Sequence, residues 1–222
     1  MDTQAARTMM VDGQVRPNKV TDPRIIAAMR RIDREKFLPP QCAALAYTDE
    51  DIPLGGGRYL MEPMVIARLV QLAALRGNEN VLVVAAGSGY GAAVIASCGA
   101  RVTALEEDTA LLSLARAALP AEAPTVKVVV GSVVDGWPSG APYDVILIEG
   151  AVEEIPPAIA DQLKREGGRL VTVRVGADRV GAARIGQAVL GEMTAAGLSL
   201  QPVFDCAVPL LPAMRRASGF VF

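Results

Sequence analysis

A glycine-rich turn followed by a strand-end carboxylate is the feature of this 222-residue chain most able to do chemistry. Gly87-Ser88-Gly89-Tyr90 follows an apolar run, Val81 to Ala86, and precedes an alanine-rich segment from Gly91 to Ala96. A second apolar run, Val102 to Leu105, ends in Glu106. The order reads as buried strand, tight turn, helix, and second strand tipped with an acid. Open α/β sheets hold nucleoside-bearing cofactors at such a place, in the crevice beyond the carboxyl ends of their strands. Glycine lets the backbone approach a ligand closely, and the acid can accept both ribose hydroxyls. An alternative reading makes Glu106-Glu107-Asp108 a solvated turn that caps a helix starting near Thr109.

Two cofactor classes fit this pattern. Gly87 to Ala92 satisfies the dinucleotide fingerprint with alanine in the third glycine position, which would suit NAD. A dinucleotide rests its pyrophosphate on the helix N-terminus, whereas S-adenosylmethionine needs only a close turn and polar anchors. Both want an acid after the second strand, so Glu106 does not separate them.

Composition removes other chemistries. Histidine is absent, which excludes Ser-His-Asp catalysis, a histidine base and histidine-ligated zinc. Three scattered cysteines, Cys42, Cys98 and Cys206, suggest neither a disulfide framework nor a metal site, so no metal and a cytoplasmic location are expected. Lys and Arg number 22 against 24 acids without long blocks of either sign, which argues against nucleic-acid or membrane partners. Residues 80–100 carry no charge over nearly a bilayer's span, but glycines at 87, 89 and 91 interrupt them. The first residues lack the basic start and apolar centre of a signal peptide.

The elements that must position the turn and the acid follow from periodicity. Strands are predicted at Val81–Ala85, Arg101–Leu105, Val126–Val130, Tyr143–Ile148 and Arg169–Val173. Helices are predicted between them at Tyr90–Ser97, Thr109–Ala118 and Pro156–Leu163. Near-continuous apolar strands alternating with helices predict an α/β fold, a Rossmann-like, mostly parallel central sheet with helices on both faces. From Val180 onward shorter apolar segments predict antiparallel strands that complete the sheet. Upstream, helices are expected over Asp2 to about Gln14, after Asp22-Pro23, and again from Glu62-Pro63. Pro53-Leu54-Gly55-Gly56-Gly57 reads as a loop of little intrinsic structure, either a connector or a segment that closes over a ligand. The division is an N-terminal helical region, residues 1–62, packed on a Rossmann-like domain, residues 63–222.

An ordered set of segments carries a family resemblance. Arg34 to Pro39, Ala46 to Asp49, Pro53 to Gly57 and Glu62-Pro63 resemble the corresponding region of protein-L-isoaspartate O-methyltransferases. Val81 to Ala96 is similar to that family's first cofactor motif, and Gly131 to Trp137 lies where a Gly-Asp-Gly segment is expected. Tyr143 to Ile146, Ile155-Pro156, Gln162-Leu163 and Gly167 to Val171 continue the match, and Met10 to Gln14 resembles the lead-in of bacterial members. The resemblance implies a class I methyltransferase fold, S-adenosylmethionine as cofactor, and methylation of isoaspartyl carboxylates in proteins or peptides. It implies that Gly87, Ser88, Gly89 and Tyr90 form the turn, that Glu106 holds the ribose and that Ser132 and Val133 border the adenine. Glu149 would meet the methionine amino group, or is a solvated strand-end acid. Tyr47, Asp49, Leu60 and Met61 would lie on the substrate side, with core packing the alternative for Tyr47.

The chain departs from the family pattern at several of these places. Val83 and Ala85 stand where the first motif usually has an acid and a glycine, and Ser132-Val133 where it has Asp and Gly. Met61 stands where the active-site segment presents a hydroxyl residue, and methionine gives no useful donor to a carboxylate. Methyl transfer weakened by these changes is the first expectation. A catalytically degenerate relative acting as a binding or interaction module is the second, and an NAD-dependent oxidoreductase the third.

Overall fold

The computed structural model describes residues 2–176 and 185–215, and every structural statement below concerns these. The N-terminal region supplies α1 (Thr3–Met10) and α2 (Pro23–Arg31), a short hairpin of β1 (Ile52–Gly55) and β2 (Arg58–Leu60), and α3 (Pro63–Leu72). Alternation follows with β3 (Asn80–Val84), α4 (Tyr90–Ser97), β4 (Arg101–Glu106), α5 (Thr109–Glu122), β5 (Lys127–Val130), β6 (Val145–Val152), α6 (Pro157–Ala160) and β7 (Arg169–Arg174). The antiparallel pair β8 (Ile185–Thr194) and β9 (Gly197–Ala207) completes a seven-stranded sheet ordered β5-β4-β3-β6-β7-β8-β9.

The order in which strands are added reverses about β3, which pairs in parallel with both β4 and β6. A crevice therefore opens beyond the carboxyl ends of these three strands, where open α/β sheets receive ligands. Strand residues alternate between two cores: Val81, Val83, Val145 and Leu147 face one, Leu82, Val84, Ile146 and Ile148 the other. Met10, Val15, Ile25, Met29, Ile32 and Phe37 join the first of these cores, so the N-terminal helices cover that face of the sheet. Both faces are dry, which is why the parallel strands read as unbroken apolar runs.

The five expected parallel strands and helix α4 form close to their expected limits. Three details differ. Helical α1 stops at Met10 and continues as a wider turn over Val11–Val15 and a tighter one over Arg16–Asn18. The helix expected over Pro156–Leu163 shrinks to Pro157–Ala160. The tail strands β8 and β9 are longer than the short segments anticipated, and the residues from Val180 to 184 lie outside the described residues.

The largest correction concerns the glycine triplet. Gly55, Gly56 and Gly57 do not form an unstructured loop; their φ angles of 103°, 58° and 75° reverse the chain into the β1–β2 hairpin. Alternation then sends Ile52, Leu54, Arg58 and Leu60 inward and leaves Pro53 and Tyr59 outside. Arginine on an otherwise apolar inner face must find a counter-charge, because an isolated buried cation is costly.

After β3, Gly87 and Gly89 adopt positive φ, and so does Ala85 at 56°. At Gly89 φ is 94°, and an added Cβ would lie 2.9 Å from Leu119 Cδ1 on α5. Replacing Gly89 by Ala should therefore lower unfolding stability by roughly 1–3 kcal/mol through backbone strain and overpacking. Urea denaturation followed by circular dichroism checks this; an unchanged midpoint contradicts it.

Candidate active site at the carboxyl edge of the sheet

Glu106 ends β4 and is buried, 1% exposed. Its two oxygens collect five donors. Oε1 accepts from Arg58 Nη1 at 3.0 Å, from the Glu107 amide at 2.9 Å and from the Asp108 amide at 3.0 Å. Oε2 accepts from Arg58 Nη2 at 3.1 Å and from the Gly87 amide at 2.8 Å. A carboxylate offers roughly four lone-pair sites, so this one is saturated. Arg58 also donates to the Ala85 carbonyl at 2.7 Å, which ties the inner face of the hairpin to the turn after β3. The reading of Glu106 as a solvated turn acid is thereby corrected: Asp108 caps α5, accepting from the Ala110 and Leu111 amides, while Glu106 is buried against Arg58 and the Gly87 amide.

Glu149 sits where β6 loses register with β7, between Leu147 and Ala151. That irregularity turns the carboxyl inward: Glu149 is 7% exposed, its Oε2 has no hydrogen-bond partner, and a Cβ at Gly91 would come within 2.5 Å of it. Glu149 is therefore not a solvated strand-end acid. Burial pushes its carboxyl up to about 8, with Arg58 and Arg34 opposing and Glu106 reinforcing the rise. Ser88 Oγ and Tyr90 OH are likewise buried without partners beside this turn. Arg34 is fully buried over the Tyr90 ring, its Cζ 4.6 Å from the centroid. It donates to the carbonyls of Ala46 at 2.8 Å and Met61 at 2.5 Å, and so fixes the segment that carries Met61.

Two clefts flank the Arg58–Glu106 pair. One, of about 10 Å³, lies between Met61, Glu149, Gly150 and Val208. The other, of about 160 Å³, lies between Gly56, Glu107, Asp108, Val133 and Pro212. Arg58 and Leu211 line both and divide them. Gly150 gives Leu211 its seat, since any Cβ there would strike that side chain.

The remaining expected site residues fall into two groups. Val133 is buried on the larger cleft, its amide 3.1 Å from Glu107 Oε2, and neighbouring Ser132 is half-buried. Leu60 and Met61 are buried under the hairpin, with Met61 on the smaller cleft. Tyr47 and Asp49 line neither cleft. The Tyr47 hydroxyl donates to Glu35, and its ring packs against the core, so its packing alternative is the one observed. Asp49 is exposed and faces Glu62, whose carboxyl burial and the charges of Asp51 and Asp49 raise to about 7. Sequence reasoning missed Arg58, Arg34 as a buried anchor, and Leu211. The only available signal for Arg58 was its place two residues before Leu60 on the inward-facing side of an alternating hairpin, where it pairs with Gly55.

The segments that build this crevice match a known family model. Residues 6–186 match the model described as protein-L-isoaspartate(D-aspartate) O-methyltransferase. The chain belongs to the protein-L-isoaspartate O-methyltransferase family. A Methylorubrum populi protein-L-isoaspartate O-methyltransferase is 43% identical over 169 residues, covering 76% of this chain and 79% of that one. Protein-L-isoaspartate O-methyltransferase 1 of Rhodopseudomonas palustris strain HaA2 is 42% identical over 175 residues, covering 78% and 71%. Among solved structures, a protein-L-isoaspartate O-methyltransferase superposes with a TM-score of 0.75 at 23% identity over 94% of this chain and 65% of that one. A Plasmodium falciparum structure described in the same terms, in complex with S-adenosyl-L-homocysteine, superposes with a TM-score of 0.71 at 16% identity over 93% and 98%. These likenesses support the Rossmann-like class I methyltransferase fold. Among the described residues no helix is long and apolar enough to cross a membrane, and the uncharged stretch 80–100 is divided between β3, the turn and α4.

Glu149 also sets a pH dependence. A folded carboxyl raised from 4.5 to about 8 binds its proton more tightly than the unfolded chain does. Stability contributed by this group is therefore present in acid and lost as pH rises from its ordinary range towards 8. Glu149→Gln should remove this component, so the variant gains on the native protein by about 2–4 kcal/mol between pH 5 and 8. Urea midpoints of both proteins across that range check it; parallel profiles contradict it.

Proposed function

We propose that this chain is an S-adenosylmethionine-dependent carboxyl methyltransferase that acts on isoaspartyl residues of proteins or peptides in the cytoplasm. The observation that carries the reading is the buried Glu106 carboxylate beside the Gly87–Gly89 turn, in a chain of this family. S-adenosylmethionine supplies an electrophilic sulfonium methyl group when bound.

The residues present fit such a cofactor. Glu106 is oriented by three backbone amides as a ribose acceptor, and Val133 lines the larger cleft on the side this reading gives to adenine, with Ser132 half-buried next to it. Glu149 keeps an unpartnered oxygen at the opposite end, ready for an ammonium group, whose charge would draw off its proton. Val83, which stands where the family's first motif usually has an acid, is fully buried in the first core, and Glu149 provides the polar group at the methionine end in this reading.

An isoaspartyl carboxylate is ionised near neutral pH and needs no base to act as nucleophile. The missing histidine therefore costs nothing in this reaction. Met61 and Leu211 contribute an apolar wall that excludes water, and Arg34 holds the Met61 backbone in place. Rate then rests on alignment of nucleophile and methyl carbon. Met61 on the smaller cleft favours a second reading, a relative that binds peptides without turnover.

A radiolabelled-methyl assay separates the two. The native protein should label an isoaspartyl peptide and not its aspartyl counterpart, and Glu106→Ala should lower kcat/KM at least about tenfold, as expected when a charge-assisted hydrogen bond of 1.5–3 kcal/mol is lost. Absence of label from a protein that binds the peptide selects the second reading.

A further inference from the structure

The place that the proposed reading assigns to a ribose is filled from within the chain. Arg58 reaches Glu106 with both terminal nitrogens and the Ala85 carbonyl with one of them, and its side chain is only 10% exposed. Its Nη2 lies 3.9 Å from the Cβ position of Gly87, directly over the turn. With five donors already on Glu106, a ribose diol finds no free acceptor there. The clefts on either side are about 10 and 160 Å³, and neither matches the roughly 300 Å³ or more of an ordinary ligand pocket. Arg58 is one of the two side chains that keep them apart.

We propose that Arg58 is an internal competitor for the cofactor: the β1–β2 hairpin inserts its guanidinium where the sugar must sit, and an adenosine cofactor binds only when that guanidinium leaves Glu106. The inference rests on the function proposed above. The hairpin suits such a movement. It is a two-stranded ribbon separate from the main sheet, and its reversal is three consecutive glycines. Its tip lies close against the rim because it carries no side chains there: a Cβ on Gly56 would lie 3.4 Å from Asp108 Oδ2, and one on Gly57 3.1 Å from Pro212 Cγ. Ile52, Leu54 and Leu60 anchor the inner face of the ribbon in the first core, so the group that leaves is the Arg58 guanidinium, carried beside the turn at the start of β2. Departure of Arg58 leaves three amide donors on Glu106, two on Oε1 and one on Oε2, which opens an acceptor direction on Oε2 and joins the clefts along the crevice.

Arginine does this where a neutral residue would not, because its planar fork matches a carboxylate in a bidentate pair. Arg58→Gln keeps a polar side chain but is shorter and loses the charge and the fork. Calorimetric titration with S-adenosylhomocysteine should show Arg58→Gln binding at least about tenfold more tightly than the native protein, as expected when a competing charge-assisted contact is removed. Equal or weaker binding by Arg58→Gln, with the native protein still binding, overturns the competition and leaves the proposed function standing. Binding by neither protein overturns both. Should Arg58→Gln not fold, NMR of the native protein labelled with ¹³C,¹⁵N-arginine decides. The Arg58 guanidinium, assigned through Arg58→Lys, should rotate slowly alone and rapidly once S-adenosylhomocysteine is added. Slow rotation at saturating ligand overturns the competition.

Discussion

The bidentate pair between Arg58 and Glu106 organises everything around the crevice. Glu106 is brought there by β4 and oriented by amides from the turn and from the start of α5. Those amides would hold it for a ligand as readily as for a side chain. The hairpin supplies the side chain. Taking two charges out of water is expensive, and such a pair repays the cost only when its remaining lone pairs are satisfied. Here they are, by Gly87, Glu107 and Asp108.

Glu149 shows the opposite economy. It has lost its solvent without gaining a full set of partners, and its carboxyl responds by holding its proton to about 8. One acid in the crevice is thus satisfied internally and the other is not. A cofactor with hydroxyls at one end and an ammonium at the other would reverse both conditions, freeing Arg58 and charging Glu149. The departures of this chain from its family pattern then acquire physical content. Val83 is core and Met61 lines the smaller cleft; in the proposed reading Arg58, from the hairpin, lies across the ribose position.

Much of the architecture was legible in residue order because parallel strands buried on both faces leave apolar runs such as Val81 to Ala86 and Val145 to Ile148. Helix starts were legible for local reasons, as at Asp22-Pro23 and Glu62-Pro63. The hairpin was not, because glycine triplets specify freedom and not a conformation. Only the register Ile52 to Leu60 turns that freedom into a ribbon. Gly87 to Gly89 and Glu106 could be paired from spacing, since one strand–turn–helix unit fixes both. The partner of Glu106 could not, because Arg58 arrives from 48 residues away. Tyr47 illustrates the converse: its type suggested a ligand wall, but Glu35 claims its hydroxyl within the N-terminal region.

Whether the acid at the end of β4 exchanges its guanidinium for a sugar is the question on which the account turns. Crystals of the native protein grown without ligand and with saturating S-adenosylhomocysteine answer it directly. The account predicts the Arg58–Glu106 pair intact in the first, and in the second ribose hydroxyls on Glu106 with Arg58 withdrawn. Ligand bound in the crevice while Arg58 keeps both contacts to Glu106 would contradict it.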